Sequence, residues 1–422
     1  MNTETKRLFD FIEKSPDPYH AAETVCKRLA DAGYTEIKEY SEAPDEGKYY
    51  IRRGNAVVSF RVPRYLTGFM ITASHSDSPG FRLKSSGDKT SSVYQTLCTE
   101  RYGGMINSSW LDRPLELSGK AMIRTDAGVK SVLFRSLTPA AVIPSVAPHL
   151  NRKANTDFTL DVARDLVPLF GDKGDSIKEY MAKLCDANVD DVVSFDAVLS
   201  CADKPFTFGC DGKLIASPRL DDLMCACTML EGFLTADDSG AVPVYCLYDG
   251  EEIGSRLRDG AGSDILPTVL RMIAGDEKLY RRMLENSVLI SADNAHAVHP
   301  NRPELSDSTD VRLNGGVVVK RSASRSYMTE GDSDAVVCEI CRRAGVPVQH
   351  FANRSHLPGG STLGAIAVTG LPVMCADIGA PQLAMHSAVE TAGAADAAYM
   401  TEFARKFYSS AVSVTAEGIE IK

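Results

Sequence analysis

Apolar residues recur at helical spacing in KRLFDFIEK (6–14) and in HAAETVCKRLADAGY (20–34), which predicts two amphipathic helices at the start of the chain. KYYIRRGNAVVSFRV (48–62) then reads as strand, turn, strand, and GFMITASH (68–75) as a short, almost continuously apolar strand. From about Tyr94 to about Ser200 the texture changes. LELSGKAMIRTDAGVKSVLFRS (115–136) alternates in the manner of antiparallel strands, and SLTPAAVIPSVAPHL (136–150) has the composition of loops. After about Ala202 strands alternate with helices again: VPVYCLYD, DILPTVLRMIAG, KLYRRMLEN, SVLISAD, AVVCEICRRAG, PVQHF, and a long helix in AADAAYMTEFARKFYSS. This alternation predicts an α/β domain with a mainly parallel sheet, interrupted by an inserted β-rich domain. The expected division is a first part at 1–90, the insertion at 91–202 and a second part at 203–422.

Composition narrows the function. With 422 residues the chain is long enough for two domains, and its 44% hydrophobic and 24% charged content is ordinary for a globular protein. A net charge of −10 with no long basic run argues against nucleic acid as a partner. The charged start MNTETKRLFDFIEKS lacks a signal-peptide core, and no segment approaches the roughly 18 uninterrupted apolar residues of a membrane span. A cytoplasmic protein without a membrane partner is expected. The eleven cysteines are odd in number and sit mostly in apolar stretches, so they read as buried free thiols. Cys338 and Cys341 form a lone C-x-x-C on a predicted helix; without a second pair, core packing is expected of both.

The candidate chemistry lies at strand ends. ITASHSD, VPVYCLYDGEE, VLISADNAH and PVMCADIGAPQLAMHS all run from apolar strand into carboxylates or histidine. Ligands of open α/β sheets bind beyond the carboxyl ends of the strands, so His75, Glu251, Glu252 and Asp293 are expected to share one crevice. Asp221, in SPRLDDLMCACTML, stands at a helix start, and His386 follows a strand and a Gly-Ala-Pro turn. Each has a plain alternative: a solvated acidic turn, a first-turn helix acid, a surface histidine. Together they form the mixture of imidazole and carboxylate that suits zinc or a related first-row ion. No H-E-x-x-H is present, so a dinuclear site with a bridging carboxylate, its ions about 3.5–4 Å apart, fits better than a single helical zinc site.

Seven stretches, in order, then carry a resemblance: ASHSDSPGFRLK, RYGGMINSSWLDRPLELSG, ASPRLDDL, YDGEEIGS, SADNAHAVHPN, GGSTLGAIA and DIGAPQLAMHS. The chain resembles the aspartyl aminopeptidase family, also called the aminopeptidase I family, of dinuclear zinc metallopeptidases. The resemblance implies a zinc-peptidase α/β/α sandwich holding the β-domain, assembly into tetrahedral dodecamers, and release of acidic N-terminal residues from peptide substrates. It implies two divalent ions per chain, most simply Zn2+, with Mn2+ or Co2+ as alternatives. His75 and Asp293 resemble the terminal ligands of one ion, Glu252 and His386 those of the other, and Asp221 the bridge. Asp77 resembles the acid that holds the His75 ring, and Glu251 the general base. Lys320 resembles the residue that meets the substrate's acidic side chain, and Ser108, His296 and Gly360 fall at substrate-facing positions. His299 is expected to pack a turn, and His20, His149 and His350 to be structural.

The chain also departs from the family pattern. Gly250 and Ser108 stand where histidines are usual, Asn107 where tryptophan is usual, Asp222 where asparagine is usual, and His356 where an acid is more frequent. The family histidine at position 108 reaches into a neighbouring subunit's site, which Ser108 is too short to do. Three other readings therefore stay open: a neutral N-terminal preference, a deacylase-type specificity, and a catalytically weakened metal-binding assembly.

Overall fold

The run FMITASH forms a strand, Phe69–His75, in which every residue is buried. It occupies the centre of a nine-stranded mixed sheet in the computed structural model, which describes residues 1–422 except 39, 41, 42, 92, 308, 309, 357 and 358. The sheet order is Thr35–Glu36, Gly47–Arg53, Ala56–Val62, Val242–Tyr248, Phe69–His75, Val288–Ala292, Met374–Gly379, Val317–Arg321 and Val348–Ala352. Its four middle strands, from Val242–Tyr248 to Met374–Gly379, are mutually parallel. They are buried on both faces, which is why they read as continuous apolar runs and not as alternating ones.

Helices cover both faces. Thr3–Lys14, Pro18–Asp31, Leu220–Thr235, Gly331–Ala344 and Asp396–Tyr408 pack on one, and Ile265–Ala274, Glu277–Glu285 and Leu363–Ala367 on the other. Local chemistry sets their limits. Asp17 caps the second helix by accepting from the His20 N–H, with Pro18 in the first turn. The fold is the expected α/β/α sandwich. Among the described residues no helix is long and apolar enough to cross a membrane. All eleven cysteines are free, as anticipated, but burial holds for seven only: Cys98, Cys185 and Cys338 are half-buried and Cys210 is exposed.

Between the strand Phe69–His75 and the helix Leu220–Thr235 lies a second, wholly antiparallel sheet. Val192–Cys201, Gly80–Thr90, Tyr94–Tyr102, Leu169–Asp172, Ala141–Val142 and Pro114–Thr125 pair in sequence, and Val192–Cys201 pairs back onto Pro114–Thr125 to close a barrel. Its interior is apolar, with Trp110 set edge-on to Phe81 at 5.3 Å between ring centroids. Two details differ from the sequence pattern. Ala141–Val142, within the stretch read as loop, contributes a short strand, and a helix, Ile177–Leu184, appears where only strands and loops are predicted. That helix starts on Ser176, whose hydroxyl accepts from the Glu179 N–H, and it buries Ile177 and Met181 in the barrel core. Burial against the barrel supplies what its two turns lack alone.

The helix Leu220–Thr235 carries Asp221 and packs closely on Asp396–Tyr408. A Cβ at Gly232 would stand 2.4 Å from the Ala404 Cβ and 2.6 Å from the Arg405 nitrogen, both fixed to the opposing backbone. In an open helix Gly→Ala gains about 1 kcal/mol, but here overpacking of about 1–3 kcal/mol outweighs it. Gly232→Ala is therefore expected to lower the apparent melting temperature in calorimetry.

Candidate metal centre and active site

The four parallel strands bring their ends to one edge. Tyr248 pairs with His75, and the chain then turns through Asp249, Gly250, Glu251 and Glu252. Ala292 pairs with Ile378, so Asp293 and the segment leading to His386 leave the sheet side by side. Residues separated by hundreds of positions become neighbours for this reason.

The turn after Tyr248 is anchored by Asp249. Its buried carboxylate accepts from the Asn55 side-chain amide at 2.8 Å and from the Gly250 N–H at 2.7 Å. Gly250 has φ +76°, and a Cβ there would meet Leu257 Cδ1 at 2.5 Å, so glycine suits this turn. The following N–H groups point at Asp77: Glu251 donates to Oδ1 and Glu252 to Oδ2, each at 3.1 Å. Tyr102, from the barrel, donates its hydroxyl to the same carboxylate at 2.8 Å. Although burial alone would raise it, the hydrogen bond and charge of His75 and these further donors keep the Asp77 carboxyl low.

Two histidines present the same nitrogen to the crevice. His75 Nδ1 lies 3.0 Å from the Asp77 carbonyl oxygen, and His386 Nδ1 lies 2.9 Å from that of Gly104. A carbonyl only accepts, so each Nδ1 carries a proton, and Nε2 is the ring nitrogen turned to the crevice. Asp221 lies between them, Oδ1 3.5 Å from His75 Nε2 and Oδ2 3.5 Å from His386 Nε2. Glu252 Oε1 is 3.4 Å from His386 Nε2. These separations are long for hydrogen bonds. They match the spacing of about 3.4 Å between two ligand atoms held tetrahedrally at 2.0–2.1 Å from one ion.

Two groups of ligand atoms result, His75 with Asp221 and Asp293, and Asp221 with Glu252 and His386, each with its atoms within 4.8 Å of one another. Asp221 Oδ1 and Glu252 Oε1 are buried without a hydrogen-bond partner among the described residues. Buried carboxylate oxygens without donors, facing two imidazole Nε2 atoms, fit a pair of divalent cations sharing Asp221. The electrostatics agree. Burial, with the negative charge of Asp221 next in size, holds the Glu252 carboxyl well above its ordinary range, and burial pushes Glu251 up to about 7. Burial would raise the Asp221 carboxyl, but the two imidazoles standing 3.5 Å away on either side outweigh it and hold the group low.

A cavity of about 560 Å³ opens over these residues, with Lys320, His296 and Gly360 on its wall. The Glu251 side chain faces it and, among the described residues, receives no hydrogen bond from the protein. Lys320 is buried, and its ammonium donates to the Asp293 carbonyl at 2.7 Å and lies 3.7 Å from Asp293 Oδ2. Ser108 is the one candidate that does not join: it lines a separate cavity of about 950 Å³ in the barrel with Leu111, Ile143 and Phe158. Asp222 is buried, and desolvation together with the charges of Asp293 and Asp221 holds its carboxyl well above the ordinary range. Its Oδ2 accepts from the His75 N–H at 3.2 Å, and its Oδ1 is buried without a hydrogen-bond partner among the described residues. His299 braces a turn by accepting from the Asn301 N–H at 3.2 Å, as expected, and His20 sits against Asp17 at its helix start.

Sequence reasoning passed over Glu390. Fully buried, it accepts from the Asp221 N–H at 2.9 Å and from the His386 N–H at 2.8 Å, one on each oxygen, and so fixes the backbone at two candidate ligands. His386 has φ +68°, a conformation uncommon for non-glycine residues that this contact helps to hold. No spacing in SAVETAG reveals the role, and the same is true of Tyr102. Glu390→Gln sets an amide N–H against a backbone N–H. Metal uptake by chelator-stripped protein, measured by titration calorimetry, is expected to weaken about 10–100-fold, the effect typical of groups that orient ligands.

Known proteins share this architecture and its sequence. The description "aminopeptidase I zinc metalloprotease (M18)" belongs to the family model that matches residues 11–408. A probable M18 family aminopeptidase 2 of Clostridium acetobutylicum is 37% identical over 424 residues, spanning 96% of this chain and 98% of its own. Its counterpart in Mycobacterium leprae is 36% identical over 419 residues, with 96% and 98% covered. Among solved structures, a chain of the cryo-EM Ape4 and Nbr1 complex superposes with a TM-score of 0.93 at 29% identity, covering 96% of this chain and 85% of that one. Yeast aminopeptidase 1 (Ape1) gives 0.84 at 25% identity, covering 96% and 97%. With likeness of this extent over nearly the whole chain, the protein belongs to the aminopeptidase I zinc metalloprotease (M18) family and is a metal-dependent aminopeptidase, a hydrolase acting at the N-terminal residue of peptides.

Proposed function

We propose that this aminopeptidase releases acidic N-terminal residues, Asp or Glu, with two divalent cations per chain and Glu251 as the proton carrier. His75 and Asp293 would hold one cation, Glu252 and His386 the other, and Asp221 would offer one oxygen to each. Zinc suits this donor set, and manganese or cobalt are chemically admissible. When bound, such cations supply concentrated positive charge that polarises a carbonyl and makes water more acidic.

The remaining work falls to the chain's own groups. Glu251 takes a proton from the attacking water and returns it to the nitrogen of the departing amine, so the amide bond breaks without releasing a free amide anion. The observation that carries this role is its carboxyl group, which lines the same cavity as His75 and His386 and, among the described residues, receives no hydrogen bond from the protein. Asp77 fixes the Glu251 backbone and the His75 ring together, which keeps base and ligand in register. Lys320 supplies the fixed positive charge for an acidic side chain, and His296 and Gly360 border the same space. The support for this preference is a buried ammonium on the cavity wall.

We further read the chain as a subunit of a homo-oligomer, a tetrahedral dodecamer, with segment 91–202 taking part in its contacts and Ser108 facing a neighbour's site. The S. cerevisiae relative mApe1 is described as a dodecamer, and Ser108 lines a cavity apart from its own chain's crevice.

Two outcomes test the mechanism and the preference. Glu251→Gln should retain the same number of metal ions per chain as the wild type by elemental analysis while turnover falls about 10²–10⁴-fold; near wild-type turnover removes Glu251 as the base. On substrates with Asp, Glu, Leu, Ala or Lys at the N-terminus, and N-acetylated controls, release should be confined to Asp and Glu and abolished by acetylation. Fast release from neutral residues would overturn the acidic preference, and cleavage of the acetylated controls would favour a deacylase. Lys320→Met should lower the Asp-to-Leu ratio of kcat/KM by about 10–100-fold, in line with about 1.5–3 kcal/mol for a charged hydrogen bond. An unchanged ratio removes Lys320 from specificity.

A further inference from the structure

A third cluster of metal-ligating side chains lies at the edge of the large sheet. Asp334 and Cys338 are four positions apart on the helix Gly331–Ala344 and therefore share one face. The neighbouring edge strand, Val348–Ala352, brings His350 against them. His350, expected from sequence to have no functional company, lies with Nε2 2.9 Å from Asp334 Oδ1. Cys338 Sγ is 3.4 Å from the same oxygen and 3.9 Å from the same nitrogen. Cys338 is half-buried and does not pack in the core with Cys341, as the C-x-x-C spacing predicts; only Cys341 does.

A Cys-His-Asp nucleophile relay requires the acid and the thiol on opposite ring nitrogens, and here both approach Nε2. What the geometry offers instead is one sulfur, one nitrogen and one oxygen converging on a common point. A tetrahedral ion with bonds of about 2.0–2.1 Å to N and O and about 2.3 Å to S would separate these atoms by about 3.3–3.6 Å. The observed edges of 2.9, 3.4 and 3.9 Å bracket that spacing. The second Asp334 oxygen is taken by Arg321 at 3.2 Å, which directs the first toward the cluster. The His350 side chain is 44% exposed, so solvent reaches the fourth position.

We propose that Asp334, Cys338 and His350 form a third divalent-cation site, of the zinc class, distinct from the paired site at the strand ends. Binding releases the Cys338 proton to solvent, and the thiolate and carboxylate then neutralise the ion's charge. Soft sulfur with imidazole selects zinc or cobalt over magnesium or calcium. The ion would tie the strand Val348–Ala352 to its helix; the next residue, Phe351, lines the catalytic cavity.

Cobalt distinguishes the two sites because the strand-end residues include no cysteine. Chelator-stripped, reduced full-length protein titrated with Co2+ should develop a near-ultraviolet thiolate-to-cobalt charge-transfer band. Cys338→Ala and His350→Gln should each abolish that band and remove one equivalent of tightly bound cobalt, while leaving uptake at the strand ends intact. Circular dichroism confirms that both variants fold. A wild-type protein without the band, or a band that survives in Cys338→Ala, overturns the site, whatever cobalt the strand-end residues retain. Loss of strand-end uptake with the sulfur band intact would instead count against the dinuclear reading alone.

Discussion

Mutual repulsion among buried carboxylates is the constraint around which this molecule is organised. Asp77, Asp221, Glu252 and Asp293 are gathered at one sheet edge, nearly out of contact with water, and Glu251 stands beside them. Such a group of charges is stable only where donors or cations oppose it. The chain deals with part of the charge itself. Asp77 accepts from two backbone N–H groups and a tyrosine, Glu390 accepts from two more N–H groups, and Lys320 lies beside Asp293. Among the described residues, Asp221 Oδ1 and Glu252 Oε1, which face the histidines, and the neighbouring Asp222 Oδ1 are buried without a donor.

The inserted barrel belongs to this arrangement. Its Tyr102 hydroxyl reaches Asp77, and the Gly104 carbonyl, just beyond the strand Tyr94–Tyr102, fixes the tautomer of His386. One barrel segment therefore braces a group at each of the two candidate ion positions. Arg82, also on the barrel, stacks on the Tyr102 ring at 4.4 Å from its centroid and holds the phenol in place. A displacement of the barrel relative to the sandwich would be felt at both histidines.

The departures from the family pattern acquire local physical explanations. Gly250 suits its positive φ, and Leu257 fills the space a side chain would take. Asp222 is buried, with its carboxyl pushed upward by desolvation and neighbouring acids, and it accepts from the His75 N–H, a bond that an asparagine carbonyl could equally accept. Nothing in the structure explains Asn107 in place of tryptophan.

The elements that periodicity reveals are those whose burial is continuous. Phe69–His75 and Val288–Ala292 are buried at every residue, so their apolar runs and polar ends stand out in the sequence, and with them His75 and Asp293. Asp221 and the Glu251–Glu252 pair were legible because acids placed directly against apolar strands or helices need an opposing charge. Glu390, Tyr102 and the meeting of Asp334 and Cys338 with His350 were not. Their significance depends on strand order and register, and a local pattern carries no information on which distant strand becomes a neighbour. Barrel closure is of the same kind: Val192–Cys201 pairs with Pro114–Thr125 across many residues, and only the packed core makes that pairing favourable. The sequence by itself determined the layers, the helix and strand types, and the acid-rich strand ends, because these follow from local periodicity and charge. The tertiary structure alone decided which side chains face each other, because that rests on non-local pairing.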